Sequence, residues 1–177
     1  MYINISNKSV LDLNNLLTDL KELLERFSLK FQQYISSGDE SMNHLVKRYS
    51  NNNKFLEKLN IIKKLSEDLA DKLEGLDLFE MEFNRFLSIQ NMINYIIDDI
   101  GKYILYSSFL YEIISSFCNL IDIKINFINK NDFEDYSKYY NQFDEFLFKQ
   151  EEFFYLNIYE NTHQYDELIK EVNNMFW

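Results

Sequence analysis

From position 10 the apolar residues recur at alternating steps of three and four. Val10, Leu13, Leu17, Leu20, Leu24, Phe27, Phe31 and Tyr34 form one stripe, widened by Leu11, Leu16 and Leu23, while Asp12, Asp19, Lys21, Glu22, Arg26 and Lys30 lie opposite. That spacing predicts an amphipathic helix over 9–36 with coiled-coil-like packing. Ser6, Asn7 or Ser9 can cap its start, and Gly38 lies just past its last periodic residue. A second helix is expected over 40–74 on Met42, Leu45, Tyr49, Leu56, Leu59, Ile62, Leu65, Leu69 and Leu73. Asn51–Asn53 interrupts that pattern, and a break or kink there is favoured over a polar layer inside a continuous helix. Gly75 closes the segment.

The next segment, a central apolar helix or helices over 77–128, starts on Phe79, Phe83, Phe86, Ile93, Ile97, Ile100 and Ile104. Within it, Ile93–Ile128 carries its polar residues on one narrow line. Asp98, Ser108, Glu112, Ser115, Asn119, Asp122 and Asn126 follow at helical spacings, with Leu105 among them, and nearly everything else is apolar or aromatic. A helix with so thin a wet stripe must be covered by neighbours on at least two sides. Gly101 costs roughly 1 kcal/mol in a helix interior relative to alanine, so it marks a kink or a close helix crossing. Residues 121–127 alternate strictly, which is a strand pattern that could pair with 2–5. Helix is favoured, because a lone two-stranded ribbon is marginal.

After the turn residues Asn129–Asp132, a last helical segment is expected over 132–176, breaking near Asn161–Thr162. Its stripe is Phe133, Tyr136, Tyr140, Phe143, Leu147, Phe154, Ile158, Tyr165, Leu168, Val172 and Met175. Phe146, Phe148, Phe153, Tyr155 and Tyr159 fall off that line and must pack against something else. The expected fold is therefore all-α: one domain over 1–177, an antiparallel bundle of four to six long helices with Ile93–Asn119 at its centre and helix 9–36 docked on it.

Composition agrees with long helices. The chain has no proline, three glycines, 46% hydrophobic and 17% aromatic residues, which excludes general disorder. One alanine amid abundant Ile, Asn, Lys, Phe and Tyr suggests AT-rich codons: a low-GC bacterium, its phage or plasmid, or a comparable eukaryotic parasite. The start of the chain lacks the basic-then-apolar pattern of a signal peptide. The run Tyr103–Ile121 approaches membrane-span length but keeps Glu112 and a serine-rich polar line, which a lipid-facing helix would not. A cytoplasmic protein without a membrane span is expected.

Charge divides the chain. Residues 1–75 hold 11 basic and 11 acidic side chains, whereas 76–177 hold 7 and 18 and so carry the whole net charge of −11. The same stretch holds 24 of the 30 aromatics. Direct binding to nucleic-acid phosphates is not expected of such a chain.

No catalytic constellation emerges. The single Cys118 lies among Phe117, Leu120 and Ile121 and reads as a buried thiol. Glu160-x-x-His163 has the spacing of half a di-iron carboxylate site, but the only other histidine, His44, is preceded at that spacing by Ser41. It reads as a surface pair, and no metal or cofactor is expected. Glu112 stands out as the foremost candidate for a buried carboxylate, although a rim position on the wet stripe is the plainer reading. Gly-rich phosphate loops, nucleophile elbows and zinc or EF-hand spacings are absent from the sequence, so a non-enzyme is expected.

What remains is surface. Acidic pairs recur at Asp98-Asp99, Glu134-Asp135, Asp144-Glu145, Glu151-Glu152 and Asp166-Glu167. Ordinary solvated faces explain many such pairs, but a solvated face has no need of Phe148, Phe153, Tyr155 and Tyr159. The expected interaction surface is Glu134, Asp135, Asp144, Glu145, Phe148, Glu151, Glu152, Phe153, Tyr155 and Tyr159. Fixed rows of negative charge with aromatic anchors would suit an inhibitor of phage or plasmid origin, filling the basic nucleic-acid groove of a host defence protein. The alternatives are an assembly subunit making helical homo- or hetero-oligomer contacts, and an immunity-type partner of a toxin.

Overall fold

The computed structural model describes residues 7–35, 53–98, 100–130 and 135–160, together with residues 170 and 174. Over these the chain is all-α, with five long helices: α1 (Asn7–Ile35), α2 (Asn53–Glu74), α3 (Glu80–Ile97), α4 (Ile100–Asn129) and α5 (Tyr136–Phe153). A 3-10 turn, Asp77–Phe79, joins α2 to α3, and a π-helical stretch, Phe154–Tyr159, continues α5. There is no strand among the described residues.

The heptad of α1 faces inward as its spacing requires. Leu17, Leu20, Leu24, Phe27 and Phe31 are buried, and burial stabilises by roughly 1.5–3 kcal/mol for each such side chain. In α2 the inward line is Leu59, Ile62, Leu65, Leu69 and Leu73. This helix begins at Asn53, while residues 51 and 52 lie outside the described range, as do 2–5, His44, Glu134, Thr162 and His163. The alternating stretch 121–127 is helical, with Ile121, Lys124 and Ile125 inward and Asp122 and Asn126 outward.

The helix or helices expected over 77–128 are two, and the chain reverses between them. Helix α3 ends at Ile97 and α4 starts at Ile100. The two then lie side by side and antiparallel, for Phe86 meets Phe117 with ring centroids 5.0 Å apart and Glu82 meets Lys124 further along. Gly101 therefore stands in the first turn of α4 rather than within a long helix. The polar line of α4 is where solvent reaches it: Asp98, just past α3, and Ser108, Glu112, Asn119, Asp122 and Asn126 are exposed, and Ser115 is half-buried. Its remaining sides are covered by α1, α3 and α5.

Helices α1 to α4 close into a ring in which α1 packs on α2 and α4, and α3 packs on the same two. Levels along the ring fix the directions. Lys72 near the end of α2 reaches Asp19 at 3.9 Å, and Ser28 of α1 donates to the Cys118 sulfur of α4 at 3.2 Å. Neighbours thus alternate in direction, as in an up-down-up-down four-helix bundle. Helix α5 is a fifth element outside this ring, antiparallel to α4 and lying against α3 as well. Phe117 meets Phe143 at 5.9 Å, Phe127 meets Tyr139 at 6.0 Å and Phe109 meets Phe153 at 5.5 Å.

Candidate interaction face on the fifth helix

Helix α5 buries one line and exposes another. Tyr136, Phe143, Leu147, Phe154 and Ile158 point into the groove between α3 and α4 and are buried. These are the stripe positions that the sequence predicts. The first turn of α5 is held by a buried polar cluster. The Glu82 carboxylate of α3, fully inaccessible, accepts from Lys124 Nζ through both oxygens, one at 2.9 Å, and from the Tyr136 hydroxyl at 3.0 Å. Lys124 also donates to the Leu78 carbonyl, and its ammonium lies 4.9 Å from the Phe79 ring centre and 5.0 Å from that of Tyr136. Burial, with the neighbouring carboxylate second, pushes the Tyr136 hydroxyl far above its usual range.

The buried carboxylate is therefore Glu82 and not Glu112, which is exposed. The signal was present in the spacing. Glu82 falls three residues after Phe79 and four before Phe86, and Lys124 falls on the line of Phe117, Leu120, Ile121 and Ile128. Two opposite charges on two core lines are a pair waiting to be matched. Cys118 as a residue is half-buried, but its sulfur is turned inward: burial pushes the thiol up to about 11, against a smaller opposing effect of the Ser28 hydroxyl.

The sequence-predicted surface residues divide into two sets. Adjacent helical residues stand about 100° apart, so an acidic pair cannot lie in one row. Asp144 turns toward the bundle, where Arg85 Nε contacts it at 2.7 Å and also donates to Tyr140 at 3.3 Å. That guanidinium is held above its usual range, first by the Tyr140 hydrogen bond. Glu151 is half-buried on the same side, and Asp144 and Glu151 line a shallow open groove with Arg85 and Lys149. Arg85 was not singled out from the sequence, and nothing in its local pattern marks it as a partner of residue 144.

Glu145, Phe148, Glu152, Tyr155 and Tyr159 are exposed, Glu145 and Phe148 at the rim of that same groove, and Asp135 is exposed ahead of the helix. Phe148 is 68% exposed, Tyr155 49% and Tyr159 55%. Phe153 is 48% exposed and leans on Phe109. Tyr155 and Tyr159 sit 6.0 Å apart in edge-to-face contact, and Tyr159 also meets Tyr95 at 5.2 Å, so both rings are braced by neighbours while about half exposed. The bracing comes through the π-helical stretch, where the Glu160 amide bonds the Tyr155 carbonyl five residues back at 3.0 Å. Chemically, this face offers carboxylates and aromatic rings. No His/Cys/Asp/Glu grouping able to hold a metal occurs among the described residues, and no helix among them is long and apolar enough to cross a membrane. No protein-family model, curated protein or solved structure matches the chain.

Proposed function

We propose that this protein acts by binding another protein through the outward face of α5, and that its concrete task is to block the basic nucleic-acid groove of its target, as an anti-defence product of a phage or plasmid would. The observation that carries the reading is Phe148, 68% exposed on a well-formed helix between the exposed acids Glu145 and Glu152. Contiguous apolar surface in an acidic setting is what a docking site for a basic protein requires. Neither Glu145 nor Glu152 is ion-paired among the described residues, so both charges are available to a partner. The target side of the proposal follows from charge. A chain at −11 is drawn to basic surfaces, and those that bind nucleic acid are the most basic a cell offers.

The test is capture from host lysate with the full chain and with E145K/E152K, washed at low and high salt. Both substitutions fall on exposed positions, so the fold should survive them, which circular dichroism checks. The expected result is a nucleic-acid-binding protein held at low salt by the parent chain, released at high salt, absent with the variant, and displaced from its own nucleic acid by the parent chain. Equal retention of that protein by the double-reversal variant would sink the proposal.

A further inference from the structure

The outward face of α5 has an order beyond being acidic and aromatic. Lys138, Asn141, Glu145, Phe148, Glu152, Tyr155 and Tyr159 step by three and four throughout, and every one of them is exposed. That is the spacing of a coiled-coil seam, turned to solvent. Within it Glu145-x-x-Phe148 repeats as Glu152-x-x-Tyr155 seven residues further along, the second ring standing at the start of the π-helical continuation. Residues three apart on a helix are neighbours, so each carboxylate stands beside a ring on the same face.

Carboxylate and ring together fit one side chain better than any other. An arginine guanidinium can lie flat on an aromatic face while its edge forks to a carboxylate, whereas a lysine ammonium is a point charge that cannot match the fork. We infer that the α5 seam receives a helix of a different protein that presents arginines seven residues apart, one to Glu145/Phe148 and the next to Glu152/Tyr155. A second copy of this chain is the poorer occupant, since it would set a net acidic face of a −11 protein against itself. The heptad spacing matters because it keeps both arginines on one side of the incoming helix. A basic but unpatterned segment would engage one site and miss the other.

This inference rests on the docking reading above and adds a register to it. The test uses the full chain, isotopically labelled, titrated at low salt with two synthetic helical peptides. Both have an alanine–glutamine background and two arginines, spaced seven residues apart in one peptide and five in the other. The seven-residue peptide should bind about tenfold more tightly, with the largest shifts at Glu145, Phe148, Glu152 and Tyr155. E145Q/E152Q should erase that preference without lowering the melting temperature, and F148A/Y155A should erase it with helical circular dichroism retained. Equal affinity for both peptides, still weakened by the two variants, would overturn the register and leave the docking face standing. Binding that neither variant affects, or no binding at all, would overturn the inference. If the parent chain alone sediments as a dimer that F148A/Y155A dissolves, the occupant is a second copy and the inference fails.

Discussion

Replacing Lys124 with methionine should be among the most damaging single changes in this chain. In the native fold the Glu82 carboxylate is fully buried and has three donor contacts, two from Lys124 and one from Tyr136 at 3.0 Å. Lys124→Met keeps the length of the side chain and removes the cation. One hydroxyl is then left to satisfy a buried negative charge. Breaking a buried pair from one side costs about 3–5 kcal/mol, because the penalty is that of the charge left behind. Glu82→Gln should cost less, since the stranded ammonium keeps the Leu78 carbonyl, the amide oxygen and two ring faces. The double variant removes both charges and should return to within about 1–2 kcal/mol of the parent chain, as replaced buried pairs commonly do. Urea unfolding followed by helical circular dichroism gives each value, and the four proteins form a cycle. The cluster joins α3, α4 and α5, so amide exchange in Lys124→Met should rise first over 136–143. A loss below about 1 kcal/mol for Lys124→Met, or losses that simply add in the double variant, would show that the pair is not electrostatically coupled in the way its geometry implies.

Other expectations are smaller. Ser66 is fully buried in α2 with no hydrogen-bond partner for its hydroxyl, so Ser66→Ala should leave stability unchanged or raise it by up to about 1 kcal/mol; a clear drop in the urea midpoint would mean the hydroxyl is satisfied after all. Asp144→Asn breaks a contact at 2.7 Å whose partners are about two-fifths exposed, and should cost under about 1 kcal/mol, read from the same unfolding curves. Cys118 gives a pH dependence. Its folded value, about 11, lies above the ordinary thiol value of 9, so the stability it contributes is intact below pH 9 and lost as pH rises through 11. A rise of that size corresponds to about 2–3 kcal/mol lost across that alkaline range. Melting temperatures should fall between pH 9 and 11, and Cys118→Ala should flatten part of that fall. Tyr136, raised as well, adds to the alkaline loss and keeps the curve from becoming flat.

Periodicity made most of this fold legible. The heptad of α1, the inward line of α2 and the buried line of α5 each came from spacing alone, because each helix has one wet side and one dry side. The reversal between α3 and α4 did not. Ile93, Ile97, Ile100 and Ile104 keep helical spacing straight across it, and no proline or glycine stands at Asp98-Asp99. Periodicity registers phase along a chain and is blind to a turn that preserves phase. Only Gly101, just past the reversal, hinted at it. For the Glu82–Lys124 pair the two charges were legible on their apolar lines, but their pairing was not, for a related reason. Each residue alone looks like a charge misplaced on an apolar line, and the match appears only once α3 and α4 are known to lie antiparallel. For the interaction face, residue types were legible and orientation was not. Glu145 and Asp144 are neighbours in sequence and line one groove, yet Asp144 contacts Arg85 while Glu145 stays exposed at its rim.

That division bears on why α5 is the element to test. Helices α1 to α4 already close a ring in which every helix has two neighbours. A fifth helix is not needed to complete such a bundle, so it is fixed by contacts of its own: the Glu82 cluster at its start, the Phe86–Phe117–Phe143 stack at its middle and the Tyr95–Phe154 edge contact, at 5.5 Å, at its end. Those three anchors use only the inward line. They hold the helix along its length, while Glu145, Phe148 and Glu152 on its outer face take part in none of the three. A rigid helix also spares a partner most of the ordering entropy that a flexible acidic segment would cost on binding. The anchors and the seam should therefore separate by mutation. Phe143→Ala should cost about 3–5 kcal/mol and weaken partner binding by loosening α5, whereas Phe148→Ala should weaken binding with stability unchanged. A Phe148→Ala variant that lost stability comparably would place that ring in the core and remove the basis for a docking face.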